Sequence, residues 1–403
     1  MSGYNSREDA ELKGKGRKDA MSDPLAPKSV LDVLQRLIRI PSVNPTIAPG
    51  EGTGEQAIAE FAVDWLQKHG VRAWVDEVAP GRFNAVGEVG SGKKTLAACA
   101  HLDTVQTAGM TISPFEPTVE DSKVFGRGSY DMKGGVAAIM CAAAALAKSY
   151  FNGRFLIALV ADEEYASIGA ADFVKKYPAD ACVVTEPTTN GMKELIVAHK
   201  GFVWLEVTTR GFAAHGSRWD LGKSAITAMG RVISACDEFD RNELRKRTHP
   251  LLGPASMHCA MIQGGSGLST YAEACRMQIE RRTLPGESPE QVLEEIRMLI
   301  KKVDADGDIA IQLARPPLSV DPQSRIAQCA RDGMRVATGH EPVDAGVAYW
   351  MDAALFAQAG VSTVNFGSLG EGAHAAVEWV DLETVTSCAR ALYETALRFG
   401  EDK

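Results

Sequence analysis

The chain has 403 residues, 45% of them hydrophobic, and a net charge of −9. That is enough apolar material for two or three packed domains. An acidic balance with a single short basic run, RNELRKR at 241–247, argues against a nucleic-acid partner, and the longest small-apolar stretch, GGVAAIMCAAAALA, is too short and alanine-rich to span a bilayer.

The first twenty residues are charged throughout and contain no apolar h-region, which excludes a secretory signal. Residues 1–27 read as a disordered tail, with Met21 as an alternative start. Helical periodicity follows at Ser29 to Ile40, Glu55 to His69, Gly135 to Lys148 and Ser167 to Lys176, while TLAACAH, RFLIALVA, ACVVTE and ELIVAH read as short buried strands. Such alternation predicts an α/β fold, a mostly parallel sheet with helices on both faces.

From Gly201 the rhythm changes. FVWLEVTT, SMHCAMIQ, CRMQIERR and GDIAIQLA alternate as half-buried strands, with helices at SAITAMGRVISACDEF and SPEQVLEEIRMLIKKV between them. The order β-α-β-β-α-β predicts a ferredoxin-like inserted domain over residues 201–315. The first rhythm then returns, with helices near Ser324 to Ala337, Asp352 to Ala359 and Leu382 to Phe399 and a strand at STVNFG. Residues 28–200 and 316–403 are therefore expected to form one domain interrupted by the insertion. Gly201 and the Pro316–Pro317 pair are its expected hinges. Eight cysteines without a C-x-x-C pair suit reduced core thiols in a cytoplasmic protein.

In open α/β sheets the ligand crevice lies beyond the carboxyl ends of the strands. Four expected strands deliver polar residues there: His101 and Asp103; Asp162, Glu163 and Glu164; Glu186; and His374, in the loop FGSLGEGAH. Asp131, in GRGSYDMKGG, precedes a helix. Singly, each has an ordinary reading as a structural histidine, an N-cap or a solvated helix start. Convergence overrides these readings, because so many carboxylates at one sheet edge require positive charge, and Lys133 is the one cation beside them in sequence. Nitrogen and oxygen donors without thiolate suit zinc, and cobalt or manganese in the same geometry. Asp103, two residues from His101, can accept the second imidazole N–H. Glu163 and Glu164 cannot both face one way, so one ligates and the other serves as general base. Five side chains, His101, Asp131, Glu164, Glu186 and His374, exceed one open tetrahedral site and fit two ions sharing a carboxylate.

In this order and with these gaps, AHLDTV, GRGSYDMKGG, ADEE, TEPT and FGSLGEGAH resemble the two-zinc amidohydrolase and peptidase family of acetylornithine deacetylase, succinyl-diaminopimelate desuccinylase, aminoacylase and glutamate carboxypeptidase. The resemblance spans roughly Val30 to Gly400. It implies that Asp131 bridges two zinc ions per subunit, that His101 and Glu186 hold one and Glu164 and His374 the other, and that Glu163 is the general base. It also implies that the inserted domain is a lid and homodimer interface, that His215 stabilises the oxyanion from across the dimer, and that Arg282, before Pro285–Gly286, binds a substrate carboxylate.

Three departures bear on the substrate: GGSGLSTYAEA replaces an Asn-containing turn, YWMD replaces a Thr or Ser before Asp352, and Ser368 stands where a proline is common. Tyr349 and Trp350 make the pocket more aromatic. The expected activity is hydrolysis of the amide of an N-acyl amino acid. A dipeptidase or carboxypeptidase acting on short peptides is the nearest alternative; a non-catalytic binding relative and a two-metal phosphoesterase are more distant ones.

Overall fold

The computed structural model describes residues 23–401. Most of the expected N-terminal tail lies outside the described residues, but its last residues do not behave as a tail. Leu25 packs on the main core and Pro27 opens helix α1, Pro27–Ile38, where its fixed φ and missing N–H suit the first helical turn.

The main sheet runs, by residue range, 72–79, 82–89, 154–160, 95–101, 181–184, 362–365, 194–199 and 318–319, with 343–347 also paired to 194–199. Its middle strands, 154–160, 95–101, 181–184 and 362–365, are mutually parallel. The strands 95–101 and 181–184 are fully buried, as both-face covering requires. The hairpin 72–79/82–89 and the 343–347 strand lie outside the expected elements; the half-exposed, weakly alternating residues of 72–79 and 343–347 carry little strand signal.

Helices cover both faces. Helices α1, α2 (Gln56–Lys68) and α3 (Gly134–Leu146) pack one face together with the later helices 325–338 and 382–400, while Phe173 and Phe356 bring helices 168–176 and 353–358 onto the other. Every residue of α3 is buried, which fits its composition of Gly, Ala and apolar residues without a polar face. A Cβ at Gly135 would lie 2.5 Å from Thr185 Oγ1, so only glycine lets α3 approach the 181–184 strand end so closely.

Residues 201–315 carry a separate four-stranded antiparallel sheet in the order 256–264, 274–283, 201–210, 307–315, with its own core built on helices 225–242 and 289–302. Both helices start at serine caps, Ser224 and Ser288, whose side chains accept main-chain N–H groups. Lys200 alone separates the 194–199 strand from the 201–210 strand.

Candidate metal centre

The register of the parallel strands builds the site. His101 pairs with Val160, and Cys99 pairs with Val184, so Asp103 and Asp162 stand two residues beyond one pair while His101 and Glu186 stand two residues beyond the other. Three adjacent strands thus end at one level with imidazole and carboxylates side by side.

Loops complete the set. Glycine-rich residues 126–135 deliver Asp131, after Gly128 at φ 75°. The Asp131–Met132 peptide is cis. His374 comes from the loop beyond the 362–365 strand, at φ 62°, with its side chain 54% exposed. The resulting distances are those of a shared site. Asp131 Oδ1 lies 3.0 Å from His101 Nε2, and Asp131 Oδ2 lies 3.3 Å from His374 Nε2. Glu186 Oε1 is 3.6 Å from His101 Nε2, and Glu164 Oε2 is 3.1 Å from His374 Nε2. Glu163 offers an oxygen to the His101–Glu186 group, all within 4.8 Å of one another.

The electrostatics are those of a site short of positive charge. Burial works against charge on His101, but Glu186, Asp131 and Glu163 outweigh it and hold its pKa well above 6.5. Burial and neighbouring acids push Glu163 and Glu186 well above the usual carboxylate range. Hydrogen bonds that His374 donates to Asp131 and Glu164 raise its pKa to about 10. For Asp131 burial is outweighed by the two histidines, and its pKa falls. Lys133 offers no compensation: buried, it turns its Nζ to the Ile40 carbonyl at 2.8 Å, and burial lowers its pKa to about 7.

These residues fit a pair of divalent ions. Each histidine faces one oxygen of the same aspartate, the donors are nitrogen and oxygen, and Glu164 Oε1 is buried without a hydrogen-bond partner.

Asp103 does something other than expected. His101 Nδ1 lies 2.9 Å from the Asp103 main-chain carbonyl, whereas the Asp103 carboxylate is 3.7 Å away. The carbonyl therefore fixes the tautomer, and the carboxylate is free to accept the backbone N–H of Glu163 at 3.1 Å and of Glu164 at 3.2 Å. Glu378, which sequence reasoning passed over, plays the matching part for the other loop. Its buried carboxylate accepts N–H groups from Gly128, Tyr130 and Asp131 and a hydrogen bond from Arg127. Asn44 and Arg82 were missed too; no local pattern marks them, because their partners are distant in sequence.

Two expected residues are not brought to the cluster. His215 is exposed, its Nδ1 2.8 Å from Ser217 Oγ. Arg282 is held by Glu280 at 2.6 Å and lies over the Phe202 ring. Beside the metal set lies a cavity of roughly 330 Å³ whose wall includes Tyr130, Pro187, Tyr349 and Trp350. The Tyr349 hydroxyl donates to the Pro187 carbonyl at 2.5 Å.

Comparison with known proteins agrees with this geometry. Residues 97–398 match the peptidase family M20/M25/M40. Acetylornithine deacetylase of Vibrio vulnificus is 31% identical over 284 residues, which cover 69% of this chain and 74% of that protein. Among solved structures, an M20 family metallo-carboxypeptidase of Sulfolobus solfataricus superimposes with a TM-score of 0.77 at 18% identity, covering 92% of this chain and 99% of its own. A dinuclear metal-binding peptidase of the same family from Bacillus subtilis gives 0.71 at 17% identity, covering 92% and 97%. The shared sequence spans the strand ends and loops that gather the histidines and carboxylates, and on that footing the chain belongs to the M20/M25/M40 peptidase family and is a metal-dependent amide hydrolase.

Proposed function

We propose that the protein is a two-zinc hydrolase that removes the acyl group from an N-acyl amino acid. The observation that carries this reading is Asp131, whose two oxygens face Nε2 of two different histidines. His101 and Glu186 would hold one ion, and His374 and Glu164 the other, with Asp131 between them. Such a pair supplies a water of lowered pKa and a polarised carbonyl.

The remaining steps belong to the chain itself. Glu163 is in reach of the His101–Glu186 group without being needed as a ligand, and its burial favours holding a proton. It takes the proton of the attacking water and returns it to the leaving amine. Tyr130, Tyr349 and Trp350 give the acyl or side-chain pocket an aromatic wall. Arg282 would exchange Glu280 for a substrate carboxylate on lid closure.

His215 serves as oxyanion donor only if it arrives from a second copy, because within one chain it stands exposed outside the cluster. Residues 201–315 are proposed as the lid and dimer interface. Their edge strand 256–264 pairs on one side only and exposes Met261 and Ile262. Among the described residues no helix is long and apolar enough to cross a membrane, and a cytoplasmic location is proposed.

Zinc content and a panel of N-acetyl, N-succinyl and aminoacyl amino acids test the reading. Two zinc ions per subunit with turnover of N-acyl substrates supports it; a metal-free active protein sinks it. Preference for aminoacyl substrates selects the dipeptidase or carboxypeptidase alternative, which the metallo-carboxypeptidase neighbour favours.

A further inference from the structure

Behind the metal set lies a second polar cluster, Asn44, Glu55, Arg82, Asp103 and Asp162, all buried, of which only Asp103 has been given a part so far. Two of its three carboxylates, Glu55 and Asp162, share one guanidinium. Arg82 Nε donates to Glu55 Oε2 at 2.8 Å, and its Nη1 lies 2.8 Å from Asp162 Oδ1. Asn44 then joins the two aspartates, with its Nδ2 2.8 Å from Asp103 Oδ2 and 3.0 Å from Asp162 Oδ1. The direction of this amide is not arbitrary. Asn44 Oδ1 accepts the Thr46 N–H at 2.9 Å, and a flipped amide would set an oxygen against two carboxylates.

Both aspartates govern the same corner of the chain. The Asp103 carboxylate carries the N–H groups of Glu163 and Glu164. Asp162 precedes them at φ 69°, in the left-handed region, and its carbonyl accepts N–H groups from Ala166 and Ser167. The backbone that aims Glu163 and Glu164 therefore hangs on two carboxylates, and those two are tied to each other by a single amide. Volume alone would not do this; two acceptors must be met by two N–H donors from one point.

We propose that Asn44 is a positioning residue that sets the direction of the Glu163 and Glu164 side chains by bridging Asp103 to Asp162, with Arg82 holding Asp162 in place. The inference rests on the proposed roles of Glu163 as base and Glu164 as ligand.

Asn44→Leu fills nearly the same space and removes both donors. It is expected to lower kcat at least about tenfold with KM changed less than about threefold, the behaviour of an outer partner that orients catalytic groups. Zinc stoichiometry should stay at the wild-type value. Asn44→Asp should be worse, because it places a third carboxylate between two, and Asn44→Ser, which keeps one donor, should recover part of the loss. In the cobalt-loaded protein the visible absorption bands should shift in the Leu and Asp variants and shift least in Ser. A kcat within about threefold of wild type in the Leu and Ser variants overturns the proposal, as does a loss that merely follows the folded fraction while the cobalt bands stay unchanged. If Asn44→Leu does not fold, the Ser and Asp variants carry the same comparison. Should the wild type cleave no amide, the functional reading fails by itself. The cobalt spectra then still decide this inference, since bands unmoved in all three variants overturn it.

Discussion

His101 and His199 end two strands of the same sheet, and their local settings are nearly the same. Both are buried, and each has Nδ1 2.9 Å from a main-chain carbonyl, of Asp103 and of Lys200 respectively. Their far nitrogens differ. His101 Nε2 faces Asp131 and Glu186, whereas His199 Nε2 has no hydrogen-bond partner and its ring stands edge-on to Trp350. Burial lowers His199 to about 4, while at His101 the carboxylates overcome the same penalty. A strand-end histidine next to a carbonyl is thus no sign of a metal ligand; carboxylates supplied by other segments make it a candidate.

Removing the shared carboxylate should collapse this contrast most completely. Asp131→Ala is expected to cost more than about a thousandfold in kcat/KM and to leave the protein without a stable metal pair, measured by metal content after dialysis. Next in size, Glu163→Gln should lower kcat by roughly 10²–10⁴ while metal content stays at the wild-type value. Loss of metal in that variant would make Glu163 a ligand instead.

His199 allows the contrast to be sharpened through pH. Its folded-state pKa of about 4 lies below the unfolded 6.5, so the unfolded chain takes up the proton first. Stability should therefore fall as pH drops from about 6.5 to about 4, by about 3 kcal/mol, and that part should be absent in His199→Gln. Urea unfolding of both proteins in the same metal state measures the difference. An equal acid slope in the two would show that the ring is charged or hydrated in the fold. The smallest effect is expected at Glu378→Gln, which keeps the shape of the Asp131 loop support but weakens its acceptor. Roughly tenfold lower metal affinity, read by chelator competition, would fit a carboxylate that holds a ligand-bearing loop.

Much of this was legible along the chain. The strands 95–101, 154–160, 181–184 and 194–199 stand out as mostly apolar runs; His101 ends the first, and Glu163, Glu164 and Glu186 stand within four residues of the ends of the next two. The hairpin 72–79/82–89 did not, because Gly87 and half-exposed charged residues blur its alternation. With it went Arg82 and also Asn84, whose side chain accepts the Ala161 N–H and donates to the Gly169 carbonyl around the acid corner.

The sequence by itself determined the element order, the strand ends that bear chemistry and the nitrogen and oxygen character of the donors, because periodicity, glycine placement and side-chain type are local properties. Only the tertiary structure decided which group meets which. Asn44 reaches Asp103 across 59 positions and Asp162 across 118, and Glu378 reaches Asp131 across 247. Such bonds leave no spacing for a reader of the chain to find. They follow from strand register and loop closure, and these moved the Asp103 carboxylate from the imidazole expected beside it to the backbone of Glu163 and Glu164.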